Sequence, residues 1–235
     1  MGTVSKSQII LALDTDDLDL AGQWIQATRK SIDVYKVGLE FFLKFGHDGV
    51  KKLYEYGDFE LFLDLKLHDI PNTVAGAVSA VRDHKPRFLT VHASGGSQMI
   101  SAAATGAPEI DITAVTVLTS LSEPMLADMG IKNSPLDLAI SLAKNAVNAG
   151  ARAIVCSPLE VAAIRTAVGK EPTLITPGVR PADSQAGDQS RVMTPEDAIA
   201  AGANFLVIGR PITSHFKESA EAMSKRAAQI LDSIS

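Results

Sequence analysis

Short hydrophobic segments alternate with longer amphipathic stretches along most of the chain. The segments are rich in Val, Ile, Leu and Phe, a composition typical of parallel strands that are buried on both faces. The pattern predicts eight strands, which are residues 8–14, 32–37, 60–66, 87–92, 111–118, 152–156, 173–176 and 204–208. The predicted helices are residues 17–29, 40–56, 72–84, 97–105, 135–149, 157–168 and 214–234, with a short additional helix at 122–126.

The order of these elements predicts the fold class. Eight β-then-α units in a chain of 235 residues predict an α/β fold of the (β/α)8 TIM-barrel type. We expect a single domain over residues 1–235, because no domain boundary is visible along the chain. An open, doubly wound sheet is the main alternative. It has little support, because no Gly-x-Gly-x-x-Gly sequence follows the first strand.

One predicted connection is unusually long and polar. Residues 178–194 are rich in Gly, Pro, Asp, Ser and Gln, and a segment of this length exceeds an ordinary βα loop. A mobile lid over a binding site is the functional interpretation. A solvated excursion at the surface is the alternative.

The overall composition limits the classes of function. With 46% hydrophobic and 21% charged residues, the chain has enough apolar side chains for a large core. Its formal charge of −5 disfavours nucleic-acid and anionic-membrane binding. Residues 1–8 lack the apolar core of a signal peptide, and no apolar run reaches the roughly 18 residues of a membrane span. We therefore expect a cytoplasmic protein whose single cysteine, Cys156, is buried and inert.

The third predicted strand carries charged residues at its C-terminal end. Alternation along the strand places Asp64 and Lys66 on one face. Asp69 or Ile70 would cap the next helix, because Pro71 suits the first helical position. Two acids that bracket a lysine are costly to desolvate unless they serve a function. An ion pair on a solvated rim is the alternative interpretation.

The first two strands also end in charged residues, Asp14 and Lys36. In barrels of this type the reactive groups lie at the C-terminal ends of the strands and in the loops that follow them. A metal site has weaker support, because the five histidines are scattered and no two of them fall at ligand spacing together with a carboxylate. Lysines occupy positions where a cation site would place acids or imidazoles. We therefore predict no metal.

The last two strands are followed by residues that suit an anion. Gly178 and Arg180 follow the seventh strand, and Gly209 and Arg210 follow the eighth. Open glycine backbone, a helix start and an arginine fork are typical of phosphate sites in such barrels. The pattern predicts a phosphate-binding site between these two strand ends. Placement of Arg210 on the open surface is the alternative.

The end of the third strand is also the most specific motif of the chain. Residues 64–73 read Asp-Leu-Lys-Leu-His-Asp-Ile-Pro-Asn-Thr. This run resembles the signature of the orotidine 5′-monophosphate decarboxylase family, in its shorter, bacterial form. The resemblance spans the chain, with further matching segments at residues 12–14, 35–38, 115–120, 176–180 and 207–210.

The resemblance implies an activity and an assembly. A homodimeric barrel would convert orotidine 5′-monophosphate to UMP and CO2, the last step of UMP biosynthesis, without a cofactor. Lys66 would give a proton to C6 of the pyrimidine. Asp64 and Asp69 would flank the substrate carboxylate, and Lys36 would order Asp64.

The same resemblance implies binding roles for further residues. Asp14 and Lys36 would contact the ribose. Asp69, Ile70 and Thr73 would come from the partner subunit, with Thr73 reaching a ribose hydroxyl. The other implied residues are Thr119 for the pyrimidine, with Ser120 as a second candidate, Gln189, Gly209 and Arg210 for the phosphate, and Arg180 near the base of the lid.

Two other functions stay open at this point. A related class of barrels uses a similar Asp-x-Lys-x-x-Asp stretch for Mg-dependent decarboxylation or aldol chemistry on sugar phosphates. Residues 70–73 and the long loop favour the nucleotide decarboxylase over that class. A non-catalytic nucleotide-binding barrel is the second alternative.

Overall fold

The computed structural model describes residues 7–181 and 193–234. Eight parallel strands pair in sequence order, and the eighth pairs with the first to close a barrel. The strands are β1 Ile9–Ala12, β2 Val34–Gly38, β3 Glu60–Leu67, β4 Phe88–His92, β5 Asp111–Val115, β6 Ala153–Val155, β7 Thr173–Pro177 and β8 Phe205–Ile208. The α-helices are α1 Leu18–Thr28, α2 Leu39–Leu53, α3 Pro71–Val81, α4 Gly96–Gly106, α5 Glu123–Asp128, α6 Pro135–Asn148, α7 Val161–Val168, α8 Pro195–Ala200, α9 Arg210–Thr213 and α10 Ala220–Ser233. The predicted (β/α)8 barrel is confirmed.

Apolar side chains from seven of the strands fill the barrel below its mouth. Phe88 packs edge-to-face against both Phe62 and Phe205, with ring centroids 5.7 Å apart in each pair. The buried members of this inner layer are Ile10, Val34, Phe62, Phe88, Ala153, Ile175 and Phe205. The interior is therefore a packed core, and the space for a ligand lies above it at the mouth.

The opposite faces of the strands pack against the surrounding helices. On β3, Leu61, Leu63 and Leu65 belong to this outer core and are at most 9% exposed. Burial of each such side chain contributes about 1.5–3 kcal/mol. The predicted alternation along β3 is confirmed, because the intervening residues face the barrel interior.

Local side-chain chemistry explains where several helices begin. The Asp17 carboxylate accepts a hydrogen bond from Leu20 N and caps α1. Ile70 is the N-cap residue of α3, and its side chain makes no capping bond. Asp69 instead accepts a hydrogen bond from Ile70 N at 2.6 Å, which orders the turn before Pro71.

Several helices differ from the sequence prediction. The six-residue α8 was not predicted, because a helix of that length carries too little periodicity to be recognised. The helix predicted from residue 214 is α10, preceded by α9 and by a 3₁₀ turn at Ser214–Lys217. The helix predicted from residue 157 begins as a 3₁₀ turn at Pro158–Glu160 before α7. These changes leave the order of the barrel units intact.

Among residues 7–181 and 193–234, no helix has the length and apolar character needed to cross a membrane.

Candidate active site

Two adjoining cavities open at the C-terminal ends of the strands. The first, of about 190 Å³, has mostly apolar walls and contains Asp64, Lys66 and Thr119. The second, of about 400 Å³, is lined by Asp14 and by residues that follow β7 and β8. The cavities share Lys36, Pro177 and Val207. A single elongated ligand could therefore contact an apolar and a polar compartment at once.

Alternating charges form a continuous array along the shared wall. Lys36 Nζ donates to Asp14 Oδ1 at 3.0 Å and lies 3.6 Å from Asp64 Oδ2. Lys66 Nζ donates to both carboxylate oxygens of Asp64, each at 2.8 Å. The array thus runs Asp14, Lys36, Asp64, Lys66 and brings together four of the residues predicted for the site.

The array keeps its buried members ionised. Burial alone would raise the pKa of Asp64, but Lys36, Lys66 and the hydrogen bonds to the carboxylate outweigh it, and the pKa is lowered. Burial alone would lower the pKa of Lys36, but the carboxylates of Asp14 and Asp64 outweigh it, and the pKa is raised. The site therefore presents fixed charges at neutral pH.

Lys66 has an unusual backbone conformation. Its φ is 48°, in the left-handed region that side chains other than glycine rarely adopt. The register between β3 and β4 shifts here, with Leu63 opposite Leu89 but Leu67 opposite Val91. This bulge still leaves the Lys66 ammonium in the first cavity, beside Asp64.

The second cavity has the features predicted for an anion site. Gly178, Arg180, Gly209 and Arg210 all line it, together with Thr213. The backbone at Gly178 has a φ of 82°, which a side chain would strain. Arg180 donates from Nη1 to the carbonyl of Val179 at 2.8 Å. Two arginines therefore line one cavity.

The loop between β3 and α3 is not part of either cavity. Asp69 and Thr73 are exposed in the single chain, and Ile70 is 66% exposed. These are the three residues that the family resemblance assigns to a partner subunit. Gln189, predicted to contact phosphate, and most of the predicted lid lie outside the described residues.

The two candidates for pyrimidine contact differ in position. Thr119 lines the first cavity, whereas Ser120 is exposed and is absent from the described lining. Cys156 also lines this cavity, although it is only 1% exposed. Burial raises the pKa of its thiol to about 12. The thiol is therefore un-ionised at neutral pH and suits a packing role better than a nucleophilic one, as predicted.

His68 and His92 lie close together at the mouth, with ring centroids 5.4 Å apart. Burial lowers the pKa of His92, and the nearby His68 and Lys66 lower it further. Within the described parts of the chain, no group of three or more His, Cys, Asp or Glu residues is placed to hold a metal ion.

Thr90 is a polar residue beside the charged array that was not predicted from the sequence. Thr90, on β4, is fully buried and hydrogen-bonds both Lys66 and Asp64. Alternation along β4 would have placed Thr90 inside the barrel. Its two partners depend on the bulge in β3, which leaves no recognisable signal in the sequence.

The fold and these strand-end charges define a (β/α)8-barrel protein with its site in the usual place for barrel enzymes. Residues 7–224 match the family model described as the orotidine 5′-phosphate decarboxylase / HUMPS family. The chain belongs to this family.

Similar proteins agree with that assignment. The orotidine 5′-phosphate decarboxylase of Thermobifida fusca is 54% identical over 205 residues, which cover 87% of this chain and 88% of that protein. The Escherichia coli protein of the same name is 44% identical and covers 89% of this chain and 87% of its own length. The crystal structure of the Lactobacillus acidophilus orotidine 5′-phosphate decarboxylase has a TM-score of 0.83 at 36% identity, covering 97% of this chain and 99% of that one.

Proposed function

We propose that this protein decarboxylates orotidine 5′-monophosphate to UMP and CO2, the last step of UMP biosynthesis. The observation that carries the proposal is the placement of Lys66 Nζ at 2.8 Å from both Asp64 oxygens, on the wall of an apolar cavity. Family membership and relatives of that name over most of the chain support the same activity.

The two cavities suit the two ends of a nucleotide. The first, with its apolar walls and Thr119, would hold the pyrimidine. The second, with Arg180, Gly209 and Arg210, would hold the phosphate. Lys36, which lines both cavities, would meet the ribose between them together with Asp14.

The chemistry explains why a charged array is needed. Loss of CO2 from C6 leaves an electron pair in the plane of the pyrimidine ring, orthogonal to the π system. The ring therefore offers no ordinary electron sink, and each tenfold in rate requires about 1.4 kcal/mol of stabilisation from elsewhere. An ammonium already fixed beside C6 supplies that stabilisation without reorganising as charge develops.

Each member of the array would have a separate role. Lys66 would stabilise the developing carbanion and then donate a proton to C6. Asp64 would face the substrate carboxylate, and departure of CO2 would relieve the repulsion between the two anions. Lys36 would hold Asp64 in place through their 3.6 Å contact. Phosphate binding away from C6 would contribute energy toward ordering the closed site.

We also propose that the active protein is a homodimer. The carboxylate of Asp69 and the side chains of Ile70 and Thr73 are exposed at the mouth and contact neither cavity of their own chain. In a dimer they would complete the partner's site, where Asp69 would flank the substrate carboxylate. We further propose a cytoplasmic location, which suits a biosynthetic enzyme and its free, buried Cys156.

Replacement of Lys66 tests the proposed chemistry. Lys66→Ala should keep UMP binding within a fewfold and lose turnover by at least about a thousandfold, because the proton donor is removed. Loss of absorbance of orotidine 5′-monophosphate measures turnover, and calorimetric titration with UMP measures binding. Lys170→Ala is the matched control, because Lys170 is exposed at the opposite end of the barrel, just before β7.

The same assay separates the alternatives. Unchanged turnover in Lys66→Ala would remove the proposed mechanism. Wild-type protein that binds UMP without releasing CO2 would instead be a nucleotide-binding barrel. Activity abolished by EDTA and restored by Mg²⁺ would indicate the metal-dependent chemistry.

A further inference from the structure

We propose that Thr90 is a positioning residue that holds Lys66 and Asp64 in their reactive arrangement. The inference rests on the proposed decarboxylase function, and it assigns to β4 a part in the reaction that none of the charged residues supplies.

The first argument comes from the strand register. Between two aligned points the chain takes four residue steps in β3, from Leu63 to Leu67, but only two in β4, from Leu89 to Val91. Thr90 is the single β4 residue opposite this bulge. The extra residues of β3 therefore have no backbone partners at matched positions on β4.

The second argument comes from the hydrogen bonds that Thr90 makes. Lys66 N donates to Thr90 Oγ1 at 2.8 Å, and Thr90 Oγ1 donates to Asp64 Oδ1 at 3.1 Å. A hydroxyl has one proton, and a carboxylate only accepts, so the direction of both bonds is determined. One buried oxygen thus connects the Lys66 backbone to the Asp64 carboxylate.

These two bonds act on different degrees of freedom. The bond from Lys66 N stabilises the backbone of Lys66 at its φ of 48°. This backbone conformation sets the direction of the lysine side chain. The bond to Asp64 holds the carboxylate that contacts Lys66 Nζ. Because Thr90 is 0% exposed, water does not compete for either bond. Without the hydroxyl, Lys66 N would lose this hydrogen bond, and Asp64 would be held by Lys36 and Lys66 alone.

The neighbouring strand offers a matched comparison. Thr113 on β5 is aligned with Thr90 and is equally buried. Its hydroxyl donates to the carbonyl of Asp111 on its own strand and does not contact the charged array. Thr113→Val therefore removes a buried hydroxyl from the same level of the barrel without changing the site.

The kinetic test uses Thr90→Val, Thr90→Ser and Thr113→Val. Loss of a hydrogen bond to a charged group should lower kcat of Thr90→Val by about 10- to 100-fold, while KM changes less than threefold. Thr90→Ser should retain most of kcat because it keeps the oxygen. In Thr90→Val the acid limb of the kcat profile should shift to higher pH, because the ionised form of Asp64 loses a hydrogen bond. Thr113→Val should show wild-type kinetics.

Amide hydrogen exchange tests the same inference without activity. The Lys66 amide should exchange slowly in the wild type and in Thr90→Ser, and at least tenfold faster in Thr90→Val. If Thr90→Val does not fold, exchange at Lys66 in the wild type and in Thr90→Ser provides the comparison. An unprotected Lys66 amide in wild-type protein, or a Thr90→Val protein with the kinetics of Thr113→Val, would overturn the proposal.

The two proposals fail in different ways. Absence of CO2 release by the wild type refutes the decarboxylase function and leaves amide exchange to decide the role of Thr90. Normal wild-type turnover with no effect of Thr90→Val refutes only the role of Thr90.

Discussion

At the scale of single residues, the site depends on ions that stay charged although they are buried. The side chain of Lys36 is 10% exposed and that of Asp64 is 14% exposed. Burial alone would favour the neutral form of each group, and the neighbouring charges favour the ionised form more strongly. Removing Lys36 or Asp64 would therefore leave a buried charge with less compensation, so changes at these two residues should affect folding as well as chemistry.

Arg210 gives a residue-scale prediction about phosphate. Arg210→Ala should weaken UMP binding by about 10- to 100-fold, the value of a charged hydrogen bond, and should leave the weaker binding of uridine nearly unchanged. Calorimetric or competition titrations with both ligands measure this difference.

The control for that experiment is Arg152→Ala. Arg152 precedes β6 at the far end of the barrel, where it pairs with Asp111, so its loss should not change either affinity. Equal weakening of UMP and uridine binding by Arg210→Ala would count against a phosphate role.

At the scale of elements, a histidine pair joins α2 to the 3₁₀ turn that follows α3. His47 Nδ1 and His84 Nε2 are 2.7 Å apart, and their rings are stacked with centroids at 4.9 Å. His84 is 6% exposed. Gly46, with a φ of 59°, interrupts α2 just before His47. Since one nitrogen of the contact must accept, the pair suits imidazoles that are not both protonated.

This pair predicts a pH dependence of stability. Burial, then the neighbouring His47 and Lys51, lower the pKa of His84, although Asp83 opposes them. The unfolded chain, in which His84 has its usual pKa of about 6.5, therefore binds more protons in the interval below that value. Stability from this group is complete above about pH 6.5 and is lost as pH falls toward the lower folded-state pKa.

Thermal unfolding of His84→Gln measures the effect. The wild-type Tm should fall more than that of the variant between pH 7.5 and pH 5.5, and each 1 kcal/mol of difference would appear as roughly 2–4 °C in a domain of this size. His215→Gln is the control, because His215 lies on the 3₁₀ turn before α10 and pairs with Glu218 instead. Parallel Tm curves for wild type and His84→Gln would refute the assignment.

At the scale of the whole molecule, exposed apolar residues lie on α2 and on the neighbouring β3–α3 loop. Leu43 on α2 is 79% exposed, Leu39 at its start is 45% exposed, and Ile70 is 66% exposed. α2 and the β3–α3 loop follow adjacent strands, β2 and β3, at the same end of the barrel. These residues support the proposed dimer, in which one surface buries apolar area and completes a second site.

Mixing two inactive variants tests the shared site. Lys66→Ala and Asp69→Ala subunits, exchanged at equal amounts, should regain about a quarter of wild-type activity, because half of the dimers are hybrids with one intact site each. Turnover before and after subunit exchange measures the recovery.

The matched control mixes Lys66→Ala with Asp64→Ala. Both residues belong to the same chain's array, so no hybrid site would contain both. Recovery in this control, or none in the Asp69→Ala mixture after proven exchange, would contradict a site shared in the proposed way.

The sequence by itself determined the features that depend on local periodicity. Alternation placed Asp64 and Lys66 on the inner face of β3, and the repeat of β and α segments predicted the barrel, because these patterns recur within a few residues. The strand ends also identified Asp14, Lys36, Gly209 and Arg210, since parallel strands bring their C-terminal ends to one mouth.

Only the tertiary structure decided the features that depend on pairing between strands. The bulge in β3 and the hydrogen bonds of Thr90 arise from the register between β3 and β4. Lys66 and Thr90, which share one of these bonds, are 24 residues apart in the sequence. The 2.8 Å contacts between Lys66 and Asp64 likewise follow from a backbone conformation that the residue type disfavours. Periodicity encodes which face a side chain takes, whereas closure of the barrel sets how far apart the side chains on that face lie.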